Sequence, residues 1–104
     1  MDAIKALAAK FEEASVRYAK INQIERNDEW FVLKLQEELG EMTQAWMKQS
    51  GRGRPNGRTP EDLARAVEDE CADLLGHVLL FAHRNGLDLA AAIARKWRFD
   101  PSTE

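Results

Sequence analysis

With Cys71 as its only cysteine, the chain has no internal disulfide, a pattern that fits a reducing cytoplasm. Basic residues are not in excess: 15 Lys and Arg face 18 Asp and Glu, and the net charge of −3 argues against a general nucleic-acid-binding surface. No apolar run approaches the roughly 18 residues of a membrane span. The N-terminal stretch MDAIKALAAKFEEASVRY carries acids and helical periodicity, unlike a secretory signal. Only three prolines are present, and no segment alternates apolar and polar residues between turn signals, so strands are not expected. Internal repeats and low-complexity tracts are also missing. With 104 residues, 44% of them hydrophobic and 32% charged, the chain reads as one cytoplasmic globular domain over 1–104, with no membrane and no nucleic acid among its partners.

What remains is helical. Asp2 caps a first helix on which Ile4, Leu7, Phe11, Ala14, Tyr18 and Ile21 recur at spacings of three and four. The polar stretch 22–27 ends it. A second helix begins near Asp28 with the stripe Phe31, Leu35, Leu39, Met42 and Trp46, and Gly51 stops it. The segment SGRGRPNGRTP is a loop that carries Arg52, Arg54 and Arg58. Thr59 then caps a third helix, with Pro60 at its first position and Asp62 three residues after the cap. This helix is expected to bury Leu63, Val67, Leu74, Val78 and Phe81, with Cys71 as a further small buried residue, and to end at Asn85-Gly86. Asp88 caps a short fourth helix, LAAAIARKW, and the tail after Phe99 is expected to fray. The short connection between helices 2 and 3 makes them antiparallel neighbours in an all-α bundle of about four helices.

Within this pattern stand four carboxylates in two pairs. Glu38 and Glu41 lie in KLQEELGEMTQAW, and Glu70 and Asp73 lie in VEDECADLLGHVLLF. A spacing of i, i+3 puts each pair on one helix face, about 4.5 Å apart along the axis and roughly 60° apart around it. Both pairs sit inside apolar patterns, so antiparallel packing gathers four negative charges at the edge of a core, where repulsion and desolvation are costly. A hard divalent cation offsets that cost, because Mg²⁺ and Mn²⁺ prefer carboxylate oxygens. His77, one turn after Asp73, reads as a core-edge histidine, and His83 as a favourable charge at a helix C-terminus. Di-iron carboxylate bundles need Glu-x-x-His motifs, and neither Glu41 nor Glu70 is followed by His at that spacing.

The run Glu37-Glu38-x-x-Glu41, 28 intervening residues, then Glu70-x-x-Asp73, resembles the EExxE…ExxD signature of the MazG-like all-α nucleoside triphosphate pyrophosphohydrolases. KLQEELGEM is similar to that family's first motif, DECADLLGHVLLFA to its second, and RNGLDLAAAIARKW to the segment that follows, so the resemblance covers roughly residues 28–97. The resemblance implies a Mg²⁺-dependent enzyme (Mn²⁺ as a substitute) that cleaves a nucleoside triphosphate to monophosphate and pyrophosphate, with nucleotide-pool clearance as its purpose. It implies Glu38, Glu41, Glu70 and Asp73 as metal ligands and Glu37 or Glu38 as the acceptor of a proton from the attacking water. Lys34 and Lys96 become candidate phosphate contacts, and Trp46 a candidate stacking platform for the base, with Trp30 and Trp97 behind it. Many members carry Asn and Arg shortly after the last-helix lysine; here Lys96 is followed by Trp97-Arg98-Phe99-Asp100. The related phosphoribosyl-ATP pyrophosphohydrolases share ADLLGHVLL-like words, and a non-catalytic helical binding module is the other alternative. A homo-oligomer, dimer or tetramer, is also implied. The Arg-bearing loop beside a metal site is a candidate clamp on substrate phosphates.

Overall fold

The computed structural model describes residues 2–102, and among these all regular structure is helical. Four helices follow one another: α1 (Ala3–Ile21), α2 (Asp28–Gln49), α3 (Pro60–Arg84) and α4 (Leu89–Trp97). Each begins where a side chain satisfies the free N–H groups of its first turn. Asp2 accepts from the Lys5 N–H at 3.0 Å, Asn27 from Trp30 at 2.8 Å, Thr59 from Asp62 at 3.1 Å and Asp88 from Ala91 at 3.0 Å. At α3 the Asp62 carboxylate returns a bond to the Thr59 N–H at 3.3 Å, closing a capping box. Gly51 and Gly86 stand just past the ends of α2 and α3 with φ of 83° and 63°, a conformation that costs glycine little. No helix among the described residues is long and apolar enough to cross a membrane.

α3 is the central element, with α2 packed along one side and α1 along the other. Residue numbers rise along α2 as they fall along α3. Asp28 pairs with Arg84 at 3.1 Å, Glu38 faces His77, and Lys48 shares a hollow with Leu63. The two helices are therefore antiparallel, as their short connection requires. α1 meets α3 through its small residue Ala8 and through Phe11, whose ring lies against Gly76. A Cβ on Gly76 would stand 2.7 Å from that ring, so a glycine inside a helix is what lets α1 approach. α4 packs on α1 and ends at Arg98, in the left-handed conformation at φ 63°. Beyond it Asp100 accepts from the Ser102 N–H at 2.9 Å, so the tail keeps a turn as far as Ser102; the rest of the expected frayed tail lies outside the described residues.

The arrangement is thin. The Cα radius of gyration is 16.0 Å, where a compact chain of this length has about 13 Å. The accessible surface is 7915 Å², where a folded monomer of this size exposes about 5,900 Å². Several expected core residues lie on that surface. Leu7, Tyr18 and Ile21 of α1 are exposed because α1 packs on α3 and α4 but not along α2. On α2 the buried residues are Phe31, Glu38 and Ala45, one heptad apart, which leaves Leu39 (50% exposed) and Trp46 (47%) on the flank. Val78 and Cys71 of α3 are likewise exposed, since that part of the helix faces away from both neighbours.

Candidate metal centre

The heptad that buries Phe31 and Ala45 against α3 carries Glu38 into the same seam, leaving only 8% of its side chain exposed. From α2, Glu37 and Glu41 flank it on the exposed side; from α3, Glu70 (half-buried) and Asp73 (exposed) approach it. Glu38 belongs to two acid groups, one with Glu37 and Glu41 and one with Glu70 and Asp73. Within each group, one oxygen per carboxylate lies within 4.8 Å of the others. The sequence-predicted ligands Glu38, Glu41, Glu70 and Asp73 are thus brought together, and Glu37 stands beside them.

The surroundings do not neutralise this cluster. Lys34 Nζ lies 3.1 Å from Glu37 Oε2 and 3.5 Å from Glu38 Oε1. His77 Nε2 is 3.7 Å from that same Glu38 oxygen, too long for a hydrogen bond. Among the described residues no donor is bonded to Glu38 Oε2, Glu70 Oε2 or His77 Nδ1, all of them buried, although the Glu41 carboxyl lies close enough to Glu38 and Glu70 to share a proton with either when one is protonated. Burial, then the negative charge of Glu41, pushes the Glu38 carboxyl above its ordinary range, against the pull of Lys34. Glu70 is pushed up in the same way, by burial and then by Glu41 and Asp73. His77 is held down by burial and next by the Lys34 charge, so at neutral pH it is a neutral ring and its contact with Glu38 is not an ion pair. Lys34 is raised: burial opposes its charge, but the bond to Glu37 and the charges of Glu37 and Glu38 outweigh it.

Two hollows open from the cluster. The larger, about 440 Å³, runs between α1 and α2 over α3 and is lined by Phe11, Ser15, Tyr18, Trp30, Lys34, Glu38, Asp73, Gly76 and His77. Trp30 forms its wall, edge-on to His77 with ring centroids 5.8 Å apart and edge-on to Phe31 at 4.9 Å. The preceding loop is held by Arg26, which donates to both oxygens of Glu12 at 2.9 and 2.7 Å and to Ser15 Oγ at 3.0 Å. Its guanidinium lies 5.1 Å from the centre of the Phe31 ring. The smaller hollow, about 160 Å³, lies at the other end of the cluster, where Glu41 and Glu70 meet Gln44, Lys48, Arg58 and Leu63. A further hollow of about 270 Å³ beside the start of α1 contains none of the four acids.

Of the remaining candidates, Lys34 stands at the cluster. Trp46 lies on the exposed flank of α2 with the Arg52 guanidinium 5.1 Å over its ring, and it lines neither hollow that meets the acids. Lys96 is exposed near the end of α4 and lines neither of them. The structure adds Phe11, Tyr18 and Lys48, which sequence reasoning did not single out for the site. One signal was present: Gly76, a glycine in the middle of a strongly helical run, marks a close approach. Compared with known proteins, the chain matches no family model, no curated protein and no solved structure.

Proposed function

We propose that this chain is a Mg²⁺-dependent nucleoside triphosphate pyrophosphohydrolase of the MazG-like kind, converting a (d)NTP to the monophosphate and pyrophosphate. The carrying observation is the buried Glu38 carboxylate, with one oxygen unpartnered, at the meeting point of four further acids. Leaving such oxygens unsatisfied is costly. An all-oxygen, all-carboxylate donor set suits Mg²⁺ or Mn²⁺ and offers little to softer metals. Glu38, Glu41, Glu70 and Asp73 would hold the metal. When bound, Mg²⁺ supplies positive charge to phosphate oxygens and acidifies a coordinated water.

The chain's own groups then divide the remaining work. The apolar and aromatic walls of the larger hollow accept a base and sugar, with Trp30 and Tyr18 as stacking surfaces. Lys34 faces the phosphate chain from the rim. Glu37, more than half exposed and next to Glu38, would take a proton from water as it adds across the α–β anhydride. The anhydride bond breaks, pyrophosphate leaves, and the second water proton stays with the products. The fitting test is a panel of canonical and modified (d)NTPs plus phosphoribosyl-ATP, in Mg²⁺, Mn²⁺ or EDTA. Metal-dependent monophosphate and pyrophosphate are expected; diphosphate and phosphate, or no turnover, would contradict the reading. The best substrate separates nucleotide clearance from phosphoribosyl-ATP cleavage.

The enzyme reading includes a homo-oligomer. Val32, Leu39 and Trp46 recur every seven residues on the exposed flank of α2, and Leu75 and Val78 of α3 are also exposed. The surface excess of about 2,000 Å² over a compact monomer is of the size obligate interfaces bury. Light scattering after size exclusion should give at least a dimer, and Leu39→Glu should shift it toward the monomer.

A further inference from the structure

Resting on the hydrolase reading, we propose that Lys48 and Arg58 form the pyrophosphate end of the site. The four acids are shared between two hollows: Glu38 and Asp73 line the aromatic one, Glu41 and Glu70 the small polar one. A polyphosphate that enters from the aromatic side and crosses the acid cluster emerges beside Lys48 and Arg58. These are the cations of that second hollow, Lys48 from the last turn of α2 and Arg58 from the residue before the α3 cap. The turn that presents Arg58 is fixed by its own N–H, which donates to the Pro55 carbonyl at 3.1 Å.

Counter-ion duty alone does not describe this pair. Among the described residues neither Lys48 nor Arg58 forms an ion pair with Glu41 or Glu70, although all four line one hollow of about 160 Å³. Elsewhere the chain does bond its acids to cations directly: Arg26 grips both oxygens of Glu12 at 2.7–2.9 Å, and Lys34 and Arg84 reach Glu37 and Asp28 at 3.1 Å. Guanidinium and ammonium groups left within reach of a cluster, but not bonded to it, suit an anion brought there with its metal. The more highly charged product is then the one they hold.

The test is calorimetric titration of the full chain with inorganic pyrophosphate in Mg²⁺, and separately with a nucleoside monophosphate, for the wild type, Lys48→Ala, Arg58→Ala and Arg58→Lys. Loss of a charge-assisted bond predicts that each alanine variant binds pyrophosphate about tenfold or more weakly. Monophosphate affinity should stay unchanged, and Arg58→Lys should recover part of the loss. Arg58 is exposed in a loop, so its variants carry the test even if Lys48→Ala does not fold. Unchanged pyrophosphate affinity, equal weakening of both ligands, or no pyrophosphate binding by the wild type would overturn the proposal. Arg58-dependent pyrophosphate binding without any (d)NTP turnover would instead overturn the hydrolase reading and leave the anion site standing.

Discussion

Glu12 and Glu38 are both withdrawn from solvent, and the chain treats them in opposite ways. Glu12 receives a guanidinium: Arg26 grips both its oxygens, and that hydrogen bond, stronger than the opposing effect of burial, holds its carboxyl below the ordinary range. Glu38 lies deeper, keeps one oxygen without a partner, has four further acids around it and is pushed upward. Lys34 stands nearest to it, yet at 3.5 Å and already bonded to Glu37. The first carboxylate is part of the scaffold and brings its own cation, locking the loop before α2 to α1. On the proposed reading, the second is arranged for a cation that arrives from outside.

The contrast is broken most sharply by exchanging each acid for its amide. Glu38→Gln or Glu70→Gln should lower metal-dependent turnover by at least the roughly 10–100-fold seen when even the outer partners of metal ligands are lost. The metal-free fold should be no less stable in these variants, since a like charge has been removed. Steady-state hydrolysis with circular dichroism reads both, and full activity in either variant would refute the ligand assignment. Glu12→Gln should do the reverse, retaining the response to metal but losing about 2 kcal/mol of stability at neutral pH, the scale of a charged hydrogen bond. Because the Glu12 carboxyl is lowered in the folded state, its contribution is present above its unfolded value of about 4.3 and fades as pH falls through the lower folded one. Urea melts of the two proteins should therefore converge on acidification. A pH-independent gap would mean that the contact acts by packing rather than charge.

A smaller effect sharpens the role of the scaffold. Gly76→Ala puts a methyl 2.7 Å from the Phe11 ring. The overpacking cost of about 1–3 kcal/mol exceeds the helix-propensity gain of up to about 1 kcal/mol, so a net loss of about 1 kcal/mol is expected. Phe11→Leu in the same chain should recover part of it, and a stabilised Gly76→Ala protein would show that α1 is free to shift.

Helix boundaries were legible because caps are local: Asp2, Thr59 with Asp62, and Asp88 bond within three residues of themselves. The acid cluster was legible for a related reason, since two i, i+3 pairs and a short connection leave antiparallel packing few ways to keep them apart. Burial was less legible. The stripe through Leu39 and Trp46 is as apolar as any in the chain, yet α3 meets the neighbouring stripe through Phe31 and Ala45, and periodicity alone does not say which of two adjacent stripes faces inward. Cys71 and Val78 were misplaced in the same way on α3. The hollows were illegible, because Phe11 and Tyr18 reach the acids only through the way α1 lies across Gly76.

The most direct measurement is thermal unfolding at neutral pH with excess Mg²⁺ or with EDTA, for the wild type and Glu38→Gln. A cation bound by the folded state alone raises the midpoint, so the wild type should shift upward with Mg²⁺ and the variant should not. Equal midpoints in Mg²⁺ and EDTA for the wild type, or the same shift in both proteins, would contradict a metal centre at Glu38.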